Sequence, residues 1–258
     1  MKFIFSYLNL VNRRPNVNLA KISNFLIQNQ GFETVFFGDE NSLEFLETVP
    51  FNHKFEITKE EVKNIPKCIW SASKFFAMSK MKEPFVHVDF DFLFFRMEKN
   101  LFNQNIICLH SEKNQSRLVD SLQKLMRIHP KEISTTGQIC YNCGIVGGVN
   151  FNLLKKISLD LLNYLYNNKA YIDKMYLDYS NQKIVDIPYI PVLVEQVWMF
   201  QLFKTYKEEF TTYMQSDLGD RNFQIECVEK GFLHLQGAEN LKSVNATLQE
   251  FIENFKIN

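Results

Sequence analysis

The chain has 258 residues, a formal net charge of zero and 46% hydrophobic residues, so it has ample material for a core and is not a disordered segment. A pI near 7.0 gives no electrostatic footprint for DNA or RNA, and no nucleic-acid partner is expected. The apolar residues 3–11 run into Asn12-Arg13-Arg14-Pro15 without a cleavage site, and the uncharged stretch 133–154 carries Gln138, Asn142 and four glycines. Neither reads as a leader or as a bilayer span, so the expectation is a cytoplasmic protein with no transmembrane segment. Five cysteines, an odd number, fit reduced thiols.

Residues 2–7 alternate as a strand, 18–29 place Leu19, Ile22, Phe25 and Leu26 at helical spacing, and Thr34–Phe37 forms a second strand ended by Gly38. A short helix over 40–48 follows, then a capping box at Thr58-Lys59-Glu60-Glu61, a helix over Trp70–Met81 and an apolar strand at 85–89. Strands alternating with helices predict an α/β fold, a mixed, mainly parallel sheet flanked by helices. Beyond residue 92 the spacing predicts a turning strand at Phe92–Phe95 and a short strand at Asn105–His110. Next come a helix over 116–128, a glycine-broken strand over 139–149, a helix over 152–166 and a proline-containing strand over 187–194. A helix over 195–207, a strand over 230–236 and an amphipathic helix over 243–256 complete the chain. No repeat or linker interrupts it, so one domain spanning 1–258 is expected, with a nucleotide half (1–95) and a more irregular second half (96–258).

The segment that carries chemistry is Pro84-Phe-Val-His-Val-Asp89-Phe-Asp91-Phe-Leu-Phe-Phe95. If the backbone stays extended, Asp89 and Asp91 point to the same side. Two carboxylates at the end of an apolar strand are costly unless a cation neutralises them. Their oxygens suit a hard ion, Mg²⁺ or Mn²⁺, with coordination positions left for a diphosphate. Ligands of open α/β sheets gather at the carboxyl ends of the strands, where this pair falls. His87 alternates within the strand and is expected in the core. Cys140-x-x-Cys143 has no second pair, so it reads as two ordinary thiols.

At this point the sequence resembles the GT-A-fold glycosyltransferases, and among them the glycogenin-like family 8 enzymes. The shared elements, in order, are Lys74 on the helix before the Asp89-Phe90-Asp91 motif, then Tyr141-Asn142-Cys143-Gly144, then Glu195-Gln196 opening a helix. His234-Leu-Gln-Gly237 and Lys242 follow near the end. Two departures stand out: Glu195 replaces the family's Asp, and Lys242 comes five residues after Gly237 rather than three, followed by Ser243-Val244 instead of Pro-Trp.

The resemblance implies a metal-dependent transfer of a sugar from a nucleotide-diphosphate donor, a UDP-sugar, to an acceptor on a glycan, peptide, protein or small molecule. It implies Mn²⁺ (or Mg²⁺) held by Asp89, Asp91 and His234. Tyr7, Lys74, Asn142, Gly144, Gly237 and Lys242 would bind the donor, with Gly144 leaving room beside Asn142. Glu195 and Gln196 would act on the sugar. Two readings compete. A haloacid-dehalogenase-like phosphatase also uses Asp-x-Asp after an apolar strand, with the first Asp as nucleophile, but its motif sits on the first strand and its later Gly-Asp-x-x-x-Asp is absent after Gly219-Asp220. A non-catalytic relative would bind nucleotide or carbohydrate without turnover.

Overall fold

The structure, a computed structural model, describes residues 1–10, 14–112, 140–181, 189–216, 222–235 and 242–255. The amino-terminal part alternates strand and helix as expected: β1 (Lys2–Tyr7), α1 (Val17–Gln28), β2 (Glu33–Gly38), α2 (Glu40–Phe45), β3 (His53–Glu56), α3 (Lys59–Val62), α4 (Ala72–Lys80) and β4 (Phe85–Val88). Thr58 caps α3 with both bonds of the expected capping box, its hydroxyl taking the Glu61 N–H and the Glu61 carboxylate taking the Thr58 N–H. The strand β3 was not legible in the sequence, because His-Lys-Phe-Glu is a short, polar, mostly exposed edge.

After β4 the strands shorten: β5 (Phe92–Phe94), β6 (Ile107–Cys108), β7 (Ser111–Glu112), β8 (Cys140–Tyr141), β9 (Ile145–Gly148), β10 (Thr211–Thr212) and β11 (Phe232–His234). The helices are α5 (Phe151–Asn181), α6 (Tyr189–Val192), α7 (Met199–Thr205), α8 (Phe223–Glu229) and α9 (Lys242–Phe255). The helix expected over 116–128 lies outside the described residues. The strand expected over 187–194 is overturned, since Tyr189–Val192 is helical and Leu193–Trp198 is a π-helical turn leading into α7. Pro191 is compatible with this because it sits in the first helical turn, where its missing N–H would have no partner.

Among the described residues seven strands form one sheet in the order β10-β6-β9-β4-β1-β2-β3. The β4, β1, β2 and β3 neighbours run parallel, and β9 alone runs antiparallel to both its neighbours, β4 and β6. The mixed, mainly parallel α/β sheet expected from the sequence is therefore present. Phe3, Ile4 and Phe5 of the central strand are all fully buried, as a strand covered on both faces requires. Phe3, Phe5, Val86 and Val88 pack on the α1 side, while Ile4, Val35, Phe37 and Phe85 pack on the side of α4 and α5. Gly147 lets β9 approach β4, because a Cβ there would lie 2.3 Å from the Phe85 carbonyl oxygen. No helix among the described residues is long and apolar enough to cross a membrane.

Candidate active site

The carboxyl end of β4 is where the chain turns. The Phe92 N–H donates to the Asp89 carbonyl at 3.2 Å, closing a tight turn, and β5 then pairs antiparallel with β11. This corrects the expectation of extended backbone from Asp89 to Asp91. The turn sends the two carboxylates to different partners, Asp89 towards α4 and Asp91 towards β11.

Asp89 Oδ2 accepts from the Lys74 ammonium at 2.8 Å. Lys74 also donates to the Glu195 carboxylate and, at 3.0 Å, to the Cys143 carbonyl, so all three of its protons have acceptors. The ammonium and Glu195 are almost fully buried, and the Asp89 side chain is one-third exposed. Burial works against the charge of Lys74, but Asp89 and Glu195 outweigh it and hold the ammonium above its ordinary range. Burial pushes the Asp89 carboxyl up to about 7 against the pull of Lys74, and the neighbouring charges of Glu195 and Asp91 add to the rise. Beneath this group lies His87, fully buried, its Nε2 2.8 Å from Ser6 Oγ and its Nδ1 3.9 Å from Asp89 Oδ1. Burial, with Lys74 nearby, keeps its imidazole neutral by lowering its pKa well below the ordinary value.

On the other side of the turn His234 Nε2 lies 3.6 Å from Asp91 Oδ2, too long for a hydrogen bond. The His234 ring stacks on Phe92 with centroids 4.1 Å apart. Asp91 Oδ1, His234 Nδ1 and Glu195 Oε2 are buried and have no hydrogen-bond partner. Such orphaned polar groups are costly in a finished core, so a bound ion or ligand partner would stabilise all three.

Glu195 reaches the site from the π-helical turn Leu193–Trp198, in which the Met199 N–H reaches back to the Val194 carbonyl. Hydrogen bonds that reach back five residues instead of four widen the turn and reorient its side chains, and such turns recur at functional sites. The buried Cys143 thiol donates to the Glu195 carbonyl at 3.3 Å and ties this turn to the entrance of β9. Asn142 accepts from the Gly144 N–H at 2.8 Å, and the Gly144 carbonyl accepts from the Asp89 N–H at 2.9 Å. The space at Gly144 is taken by the Phe92 ring, which would sit 2.3 Å from an added Cβ, so this glycine serves packing and does not leave room for a ligand beside Asn142. Tyr7 ends β1, and Gln196 follows Glu195 in the π turn; both are half-buried. Gly237 and the Lys242 side chain lie outside the described residues.

The structure thus gathers Lys74, Asp89 and Glu195 in one group, and Asp91 with His234 in another beside it. The three expected metal ligands do not close one ring: among the described residues no three His, Cys, Asp or Glu side chains form a group that could hold a metal ion. The physical reason is that Lys74 claims Asp89. Even so, Asp91 adds a third carboxylate beside the two that Lys74 pairs with, and a divalent cation at Asp91 and His234 would offset that crowding of like groups. The donor chemistry, one carboxylate oxygen and one imidazole nitrogen left unsatisfied, fits such an ion. Sequence reasoning missed Ser6 as a neighbour of this group. Its place two residues past Ile4, which pairs with His87, was the available signal.

Comparison with known proteins gives four findings. The chain is similar to the apo form of mouse xyloside xylosyltransferase 1, at 11% identity and a TM-score of 0.45, over 90% of this chain and 96% of that one. It is also similar to the galactosyltransferase LgtC in complex with donor and acceptor sugar analogues, at 11% identity and a TM-score of 0.43, over 75% of this chain and 69% of that one. No curated protein matches the sequence. A profile described as a family of unknown function, DUF6734, matches residues 16–255, and the protein belongs to that family.

Proposed function

We propose that the protein is a glycosyltransferase that moves a sugar from a nucleotide-diphosphate donor, a UDP-sugar, to an acceptor hydroxyl. The observation that carries this reading is the crowding of Asp89, Asp91 and Glu195 beside His234 at the carboxyl end of β4, with buried oxygens and an imidazole nitrogen left unpartnered. The motif order in the sequence supports it. Asp91 and His234 are the residues that would hold Mn²⁺ or Mg²⁺, with Asp89 next to them. When bound, the ion would neutralise charge on the departing diphosphate. Lys74 has committed its protons to protein acceptors, so it acts on the diphosphate through its charge and through the positions of Asp89 and Glu195. Glu195 Oε2, buried and free of hydrogen bonds, faces the sugar and can accept from a hydroxyl or stabilise positive charge at the anomeric carbon. Gln196 sits beside it. Tyr7 stacks on the base at the end of β1, and Gly237 and Lys242 contribute at the phosphates. Residues 1–95 carry the nucleotide, and residues 96–258 carry the sugar and acceptor.

The test is a panel of nucleotide sugars screened by thermal shift with Mn²⁺, followed by assay of nucleotide release, since a ligand of the folded state raises its apparent stability. Asp91→Asn is expected to lower turnover at least 100-fold with unchanged circular dichroism, equivalent to about 3 kcal/mol of lost transition-state stabilisation. EDTA should abolish turnover and Mn²⁺ restore it. Full activity of Asp89→Asn and Asp91→Asn in EDTA would overturn the reading. Phosphate release from a phosphomonoester would favour a phosphatase instead, and donor binding without consumption a binding module.

A further inference from the structure

A cavity opens at the end of the sheet away from Asp89. Strand alternation places His53 and Phe55 on the same side of β3, and the parallel register sets them against Val35 and Phe37 of β2. Val35 and Phe37 belong to the side of the sheet that α4 covers. That helix packs over β1 and β2, ends at Lys80, and leaves Phe55 of the outermost strand half-exposed. The result is a cavity of about 500 Å³ between β2, β3 and the turn from α4 into β4, within the usual size of small-molecule sites. It shares no residue with the group around Asp89. Lys2, on its rim, pairs with Phe85, and Asp89 lies four residues further along the chain, roughly 13 Å away at about 3.3 Å per residue.

Floor and rim differ in character. Val35, Phe37 and Met81 are buried and make an apolar floor, and the Phe55 ring stacks on Phe37 with centroids 5.3 Å apart. The His53 ring continues this tier, 6.4 Å from Phe55 and nearly parallel to it. Lysines and glutamates stand around the rings. Lys2 is held between Glu33 at 3.3 Å and Glu83 at 3.0 Å, and Lys80 is held by Glu61. Among the described residues Lys82 and Glu56 form no ion pair, so the rim keeps one uncommitted donor and one uncommitted acceptor.

This combination selects the ligand. An anion would meet Glu56 and Glu83, and a cation would meet Lys80 and Lys82, so neither sign of charge is favoured. A wholly apolar molecule would cover charged groups without giving them a partner. An uncharged ring with one C–H face and hydroxyls around its edge satisfies both parts. Its face lies on the Phe55 and Phe37 rings, while its hydroxyls donate to Glu56 and accept from Lys82. We propose that this cavity is a second, non-catalytic carbohydrate site, holding a neutral pyranose-containing saccharide at the end of the sheet opposite Asp89. Binding there involves neither Asp91 nor His234, so it needs no metal ion and does not rest on the glycosyltransferase reading.

The test uses the full chain with ¹³C-labelled methionine methyl groups, because Met81 lies on the cavity floor. Its signal is identified by its loss in Met81→Leu. Glucose, galactose, xylose, maltose, lactose and cellobiose are titrated to millimolar concentration in EDTA. At least one of them should shift the Met81 signal saturably, and the charged analogues glucuronate and glucosamine should bind no more tightly than glucose. Phe55→Ala should weaken the binding about tenfold by removing the stacking face. Glu56→Ala and Lys82→Ala, both at exposed rim positions, should each weaken it about threefold with an unchanged Tm. Asp91→Asn should leave it as it is. The proposal is overturned if no sugar moves Met81, if benzyl alcohol moves it and no sugar does, or if a charged analogue binds more tightly than the neutral sugars. Unchanged affinity in Phe55→Ala, or in both rim variants, would overturn it equally. Since every titration is run without metal or nucleotide, its failure and the failure of the transferase reading are separate results.

Discussion

Lys74 is where the energetics of the site concentrate, because one ammonium with almost no exposure satisfies two carboxylates and a carbonyl. Removing one member of a buried ion pair leaves its partner charged and unsolvated. Lys74→Met is therefore expected to destabilise the fold by about 3–5 kcal/mol in denaturant unfolding. The double variant Lys74→Met/Glu195→Leu should recover most of that loss, since it removes the stranded charge as well. Asp89 has the opposite character. Its pKa is raised in the folded state from 3.8 to about 7, so the folded protein favours the protonated acid. Its contribution to stability is complete below the unfolded pKa and is lost as pH rises towards about 7. Without divalent ions, stability should fall between roughly pH 4 and pH 7, and the fall should be smaller in Asp89→Asn. An unchanged pH profile in that variant would mean that another group is responsible. Asp91→Asn relieves the same crowding, so its Tm should equal or exceed the parent's while activity is lost. None of this was legible in the residue types. A lysine on a helix reads as solvated until its acceptors are seen, and Lys74 acquires them from segments 15, 69 and 121 positions away.

The elements show why the motif was readable and its geometry was not. Val86 to Phe92 alternates apolar and polar without a break, so the pattern keeps the backbone extended across Asp89 and Asp91, between the strands expected at 85–89 and 92–95. The chain instead breaks after Val88 and turns, because β5 must run antiparallel to β11 in a separate ribbon. Period-2 alternation cannot report a turn that preserves it on both sides. The same limit explains the 187–194 error, where Pro188 and Pro191 looked like strand punctuation while one of them occupies the first turn of a helix. Parallel sheet, α1, α4 and the closing helix were legible because their apolar periodicity is long and uninterrupted. Gly144 tests the local packing. An alanine Cβ there would meet the buried Phe92 ring, on which His234 stacks, so Gly144→Ala should destabilise by about 1–3 kcal/mol in denaturant unfolding. Where turnover is found, this variant should also lower it, with the loss reported by the same nucleotide-release assay.

For the whole molecule the decisive feature is β9. Among the described residues it is the only strand of the central sheet that runs against both neighbours, and that reversal sets its entrance, Asn142 to Gly144, beside the exit of β4. The site is thus built where strand directions change rather than from one continuous βα unit. The segments that meet there are far apart in sequence, and the Lys74–Glu195 contact spans 121 positions against 15 for Lys74–Asp89. The entropy of closing the longer loop exceeds that of the shorter by about 2 kcal/mol.

The longer closure predicts an order of assembly, with the β1–β2–β4 scaffold forming while Glu195 is still unattached and the π turn latching last and opening first. Amide exchange in 193–198 should accordingly report an opening well below the global unfolding free energy, whereas Phe3–Phe5 should exchange only when the whole chain unfolds. A protein arranged this way completes the buried Lys74–Asp89–Glu195 group only when folding is complete, so partly folded chains would hold Lys74 and Asp89 without Glu195.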